Sequence, residues 1–157
     1  MKPMTICLWF DGQAEEAARF YTAIFKGSKI QSVARYGEAG PGPKGSVMTV
    51  KFRLGAQEFL GLNGGPQFKF NESVSLVVPC KTQKEIDRYW AKLTKGGKEV
   101  QCGWLKDRFG LSWQIVPEFM GELVSGKDPE AADRVMQAVL KMVKLDMGKL
   151  KKAYGGK

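Results

Sequence analysis

Histidine is absent from this 157-residue chain. Its absence removes the Ser/His/Asp and Cys/His nucleophile systems, the HExxH zinc motif, the imidazole-based facial triad of iron oxygenases and any imidazole general base. A carboxylate-only metal site would need clustered Asp and Glu at loop spacing, and the sequence has no such cluster. The cysteines are only Cys7, Cys80 and Cys102, an odd number without CxxC spacing, so buried reduced thiols are expected rather than a disulfide framework. No apolar run approaches the ~18 residues of a membrane span. Asp11 interrupts the apolar start MKPMTICLWFDG where a signal peptide would continue, so a cytoplasmic protein without a membrane partner is expected.

Acidic residues are the scarce charge, 16 against 25 Lys and Arg, for a formal net charge of +9. Five of the nine excess charges fall within residues 141–157, where Lys141, Lys144, Lys149, Lys151, Lys152 and Lys157 face Asp146 alone. A solvated terminal helix face accounts for that run, and no nucleic-acid recognition motif accompanies it. Nucleic acid is therefore not an expected partner.

What the chain does have is a repeat. QAEEAARFYTAIFKG (Gln13–Gly27) returns 69 positions later as TQKEIDRYWAKLTKG (Thr82–Gly96), with Glu16/Glu85, Arg19/Arg88, Lys26/Lys95 and Gly27/Gly96 identical. Ala17, Phe20, Tyr21 and Ile24 match Ile86, Tyr89, Trp90 and Leu93, one apolar stripe at helical spacing. The flanks agree. Met4–Phe10, Lys29–Tyr36, Ser46–Leu54 and Glu58–Leu62 read as strands around the first helix, and Asn63–Pro66 as the linker between halves. Ser73–Val78, Lys98–Cys102, Trp104–Lys106 and Leu111–Val116 surround the second, with Asp107–Gly110 as a hairpin turn. Thr82 with Glu85 forms a capping box. Asp128-Pro129 opens a further helix as N-cap and first helical residue.

At this length a single compact core is sufficient, so one domain over 1–157 is expected. Within it the first unit spans 1–63, the second 71–117, and a C-terminal helix 128–150. The fold class is α+β, with two βαβββ units plus that helix. The wide apolar stripe of the helix (Val135, Val139, Met142) suits packing on its own domain or on a partner subunit, and a homodimer is expected.

Two patterns invite a cofactor reading. Gly40-Pro41-Gly42-Pro43-Lys44-Gly45 matches GxGxxG literally, but prolines interrupt it and a strand follows where a dinucleotide fingerprint needs a helix. It reads instead as a hairpin loop, or as a mobile lid over a cavity. Strand aromatics are mostly core. Trp104, beside Gly103 at a strand entrance, is the candidate pocket residue among them.

The paired units, with LWFDGQAEEAARFY near the start, NESVSLVVPC midway and GWLKDRFGLSWQIVP near the end, resemble the vicinal oxygen chelate superfamily and, within it, the PhnB-like group. The likeness takes in nearly the whole chain, the terminal helix included. It implies a cupped mixed sheet built by both units. Members of the group often carry a demethylubiquinone 3-methyltransferase-like label, and the superfamily includes glyoxalases, extradiol dioxygenases, fosfomycin-modifying enzymes and bleomycin-sequestering proteins. Its metalloenzymes hold a divalent metal with side chains from the first and last strands of each unit. Carried onto this chain, those positions fall near Met4 and Ser73, again 69 apart, and near Gly61 and Gln114. A thioether, a hydroxyl, an amide and a bare glycine make a poor zinc or iron site, so no metal and no cofactor is expected. Methyl transfer would need a glycine-rich strand-to-helix turn for S-adenosylmethionine, and the one glycine-rich stretch lies in a hairpin. A cationic drug of the bleomycin type would be repelled by the net charge.

The expectation is a module that binds a small, partly aromatic or anionic metabolite without a metal. Asn63, Ser73 and Gln114 would supply hydrogen bonds, Met4 and Trp104 an apolar wall, and Gly37–Gly45 a cover. A cavity filled by its own side chains is the structural alternative. Metal-independent enzyme chemistry is the other, with Glu58, Tyr36 and Asp107 as acid or base candidates, each of which also has a routine surface or turn role.

Overall fold

The computed structural model of the chain describes residues 4–126 and 128–156. It divides into two compact units, the first ending at Phe70 and the second beginning at Asn71. In the first, β1 (Ile6–Phe10), α1 (Ala14–Ile24), β2 (Lys29–Arg35), β3 (Val47–Leu54) and β4 (Gln57–Asn63) form a four-stranded sheet in the order β1-β4-β3-β2. The β1–β4 pair is parallel and the others are antiparallel. The second unit repeats this with β5 (Ser75–Cys80), α2 (Gln83–Leu93), β6 (Lys98–Glu99), β7 (Trp104–Lys106) and β8 (Ser112–Pro117), ordered β5-β8-β7-β6 with β5–β8 parallel. Three helices follow, α3 (Met120–Ser125), α4 (Pro129–Leu140) and α5 (Met147–Tyr154). Two mixed four-stranded sheets with helices make this an α+β fold, as expected. No helix of the described residues is long and apolar enough to cross a membrane.

Small residues let α1 lie close on its sheet. Ala14, Ala17 and Ala18 are fully buried with Tyr21, and a β-carbon at Gly61 would stand 3.2 Å from that of Ala14. Beneath the helix Phe52 and Phe59 stack at 5.2 Å across the β3–β4 pair. In α2 the stripe Ile86, Trp90 and Leu93 is buried, as are Leu105, Trp113 and Ile115 of its sheet. Thr82 caps α2 by accepting the Glu85 backbone N–H.

The helices repeat at an offset of 69, residue for residue, but the strands that feed them do not. Leu8 and Phe10 are buried while Cys7 is exposed, whereas in β5 Cys80 is buried and Val77 exposed. The first loop has three residues between strand and helix and the second has two. The strands therefore correspond at an offset of 70, and because side chains alternate, a slip of one residue exchanges the faces. Met4 answers to Val74, not to Ser73.

Three further expectations are corrected. The helix expected over 128–150 is two helices. The chain leaves α4 because Met142 O and Val143 O accept the backbone N–H groups of Cys102 and Gly103, and Asp146 then caps α5 by accepting from Lys149 N. Gln83 spans the break: its amide donates to Leu145 O and accepts from Met147 N. The strand expected over Lys98–Cys102 ends at Glu99, since Cys102 (φ 61°) and Gly103 (φ 81°) turn the chain in left-handed conformations. Asn63–Pro66 does not separate the halves either. Gly64 N and Gly65 N donate to Phe10 O, and the chain beyond returns Phe68 to Trp9 and Phe70 to Phe10 before the first unit ends.

Candidate functional site

The face of the second sheet turned away from Leu105, Trp113 and Ile115 carries two rows of side chains set by strand register. Ser75, Ser112 and Lys106 form one row, and Val77, Gln114 and Trp104 the next. Gln114 Nε2 donates to Ser75 Oγ at 2.9 Å, and Lys106 Nζ pairs with Glu72. Two of the residues expected in a site, Trp104 and Gln114, are thus direct cross-strand neighbours. The hydroxyl bonded to Gln114 belongs to Ser75. Ser73 lies in the preceding turn, where both its N–H and its hydroxyl donate to Asn71 Oδ1. No signal in the sequence pointed to Ser75, since the strand offset carries Met4 to Val74 and a serine inside an apolar strand is otherwise an unremarkable substitution.

The four tryptophans differ in one respect. Trp9 donates its indole N–H to Gly65 O, Trp90 to Glu99 and Trp113 to Asp107. Trp104, half-buried, has no acceptor for its indole among the described residues. An amphipathic ring with an uncommitted donor, opposite an amide, is equipped to hold a planar ligand that carries an acceptor.

In the first unit, Met4 is 81% exposed and precedes β1. Asn63 lines a cleft of about 470 Å³ with Asp11, Glu15, Tyr36 and Pro41–Pro43. Its amide is committed to the fold, accepting from Ala14 N at the start of α1 and donating to Val47 O. The segment Gly37–Gly45 is closed at its base by hydrogen bonds. Gly45 N donates to Tyr36 O and Ser46 N to Pro43 O, and the Tyr36 hydroxyl is bonded to Asn63 O at 2.7 Å. The literal GxGxxG has a structural cause: a β-carbon at Gly40 or Gly42 would come within 2.5 Å of the Tyr36 ring.

The acid and base candidates are likewise occupied. Glu58 bonds Gln31 and pairs with Lys51, and those contacts hold its carboxyl below the ordinary carboxylate value. Asp107 accepts from Phe109 N, Leu111 N and the Trp113 indole. Burial pushes the Cys80 thiol up to about 12, and partial desolvation raises that of Cys7 even though the residue is exposed, so neither is a ready nucleophile at neutral pH. Among the described residues no group of three or more Cys, Asp or Glu side chains converges as a metal site.

The family profile described as 3-demethylubiquinone-9 3-methyltransferase matches residues 2–116. A solved PhnB protein from Bacillus cereus is 38% identical, with a TM-score of 0.68 over 74% of this chain and 99% of its own. The chain belongs to the 3-demethylubiquinone-9 3-methyltransferase family, PhnB-like group. The protein PA1353 from Pseudomonas aeruginosa (19% identity, TM-score 0.63, 75% of this chain and 98% of its own) shares the fold. So does the fosfomycin resistance protein FosX from Listeria monocytogenes (12% identity, TM-score 0.51, 74% and 90%). No curated protein matches. The family match ends at the close of β8, so α3, α4 and α5 lie beyond it, and the likeness does not extend to the terminal helix as the sequence suggested. In this PhnB-like chain that addition packs Val135, Val139, Leu145 and Leu150 into a cluster reaching Cys102 and Val116.

Proposed function

We propose that the chain binds a small, partly aromatic or anionic metabolite on the face of the second sheet that carries Ser75, Trp104 and Gln114, without needing a metal. The observation that carries this reading is the uncommitted indole N–H of Trp104 opposite Gln114, when every other indole is spent inside the protein. The metal positions of the superfamily do not fit a divalent ion here. Gly61 faces Ala14 of α1 rather than the opposite side of the sheet, Ser73 is tied to Asn71, and Gln114 offers only a neutral amide. In this reading the protein works as a homodimer, which light scattering of the full chain checks.

The family description favours a second reading, methyl transfer. Its S-adenosylmethionine donor finds no glycine-rich strand-to-helix turn, because Gly40 and Gly42 are spent on seating Tyr36 in the β2–β3 hairpin. No step is derived through it.

A thermal-shift screen of aromatic and anionic metabolites, run with and without EDTA and with S-adenosylmethionine as a separate arm, tests both readings. Stabilisation unaffected by EDTA and lost in Gln114→Ala supports metal-free binding at this face. Stabilisation abolished by EDTA overturns the metal-free premise, and a response to S-adenosylmethionine alone favours methyl transfer.

A further inference from the structure

Ser112 is 1% exposed, and its hydroxyl is a buried side-chain polar atom without a hydrogen-bond partner among the described residues. Such groups are few in folded proteins, because a buried donor forfeits its bonds to water and gains nothing in return. Backbone ladder bonds on both sides of β8 keep Ser112 in register between Ser75 and Lys106, on the side that carries Gln114 and Trp104.

This row can present donors alone, and its one charge is positive. The Ser75 oxygen accepts from Gln114, which leaves its own proton available to donate. Lys106 commits to Glu72, whose side chain is 61% exposed, in a pair that solvent screens and other anions can replace. The Ser112 hydroxyl adds a third donor. A cationic ligand would meet the Lys106 ammonium, whereas a carboxylate oxygen inserted between the half-buried Ser75 and Lys106 side chains would satisfy all three. The adjacent row, roughly 7 Å along the strands, presents exposed Val77 and the half-buried Trp104 ring, surfaces suited to an aromatic or other planar apolar body.

We infer that Ser75, Ser112 and Lys106 form a carboxylate-binding row and that the ligand of this face is an aryl-substituted carboxylate, its ring toward Val77 and Trp104. This rests on the binding reading above and names the ligand class for the same site. It also gives a role to the buried Ser112 hydroxyl, which finds no partner among the described residues: it is offered to the ligand.

The test follows the Trp104 indole N–H by ¹H–¹⁵N spectroscopy of the full chain, titrated with 3-phenylpropionate, 3-phenylpropanol and butyrate. The expected result is a saturable shift with 3-phenylpropionate and responses at least ~10-fold weaker with the alcohol or butyrate, as charge-assisted pairing predicts. Ser112→Ala should melt no lower than the parent, because it deletes an unsatisfied buried group, and should still weaken 3-phenylpropionate binding several-fold. Lys106→Met should weaken the acid and leave the alcohol unchanged. Equal responses to acid and alcohol overturn the carboxylate row while leaving the site in place. No response of Trp104 to any of the three, alongside metabolites from the thermal screen that do move it, overturns the ligand class alone. No response to any compound removes the binding reading as well. A clearly lowered melting temperature in Ser112→Ala with unchanged affinity makes the hydroxyl structural and overturns the inference.

Discussion

Asp107 accepts the indole N–H of Trp113 at 2.8 Å, and the same carboxylate receives the backbone N–H groups of Phe109 and Leu111. One side chain therefore ties the turn before β8 to a fully buried tryptophan of the second unit. Asp107 is 3% exposed, and its removal would leave three donors without this acceptor, two of them buried. Asp107→Ala should lower unfolding free energy by ~3 kcal/mol or more, and Asp107→Asn, which keeps an acceptor oxygen, by about half that. Urea denaturation followed by tryptophan fluorescence measures it, and an unchanged midpoint for Asp107→Ala would show that the turn does not depend on this carboxylate.

The Tyr36 ring and the glycines around it make a second case. A β-carbon at Gly42 would lie 2.4 Å from the ring, which is itself held by its hydroxyl on Asn63 O. Gly42→Ala should cost ~1–3 kcal/mol through overpacking. In a Tyr36→Leu background, with less in the way, the same substitution should cost much less. A double-mutant cycle reads the coupling, and additive effects would refute the steric account.

Gln83 fastens the terminal helices through Leu145 O and Met147 N. Gln83→Ala should destabilise by ~1–2 kcal/mol and speed amide exchange at Met147, Cys102 and Gly103 more than in β3 or β4. Uniform exchange across the chain would mean that the addition and its sheet open only with global unfolding.

Acid should loosen the same junction. Hydrogen bonds from Lys144 and then Gln83 hold the Asp87 carboxyl below its ordinary value of 3.8. A folded-state value below the unfolded one means that the contribution is present above the unfolded value and is lost as pH falls through the folded one. Thermal stability should therefore carry an extra decline below about pH 4 that Lys144→Met reduces. Both partners are solvated, so the effect is small and 1 M salt should shrink it further. Identical pH profiles for parent and variant would refute it.

Much of the fold was legible because its determinants are local. The helical stripe of α2, its Thr82 cap and the Asp107 turn each follow from residues within a few positions of one another, and all three stand where the sequence put them. The break between α4 and α5 was not legible. No glycine or proline marks it; it is made by carbonyls that bond to Cys102 and Gly103 some forty residues away. The candidate site was half legible. Trp104 and Gln114 stand side by side, but the hydroxyl bonded to Gln114 is that of Ser75 while Ser73 bonds Asn71, and the Asn63 amide is bound at both ends.

The sequence by itself determined that one strand-helix-strand-strand-strand unit is used twice, and that imidazole chemistry is out of reach. Periodicity and composition are properties of the chain alone. Which side chains share a face was decided only by tertiary structure. One residue fewer between β5 and α2 than between β1 and α1 reverses the alternation, and inter-strand hydrogen bonding sets the register that puts Ser75, Ser112 and Lys106 in one row.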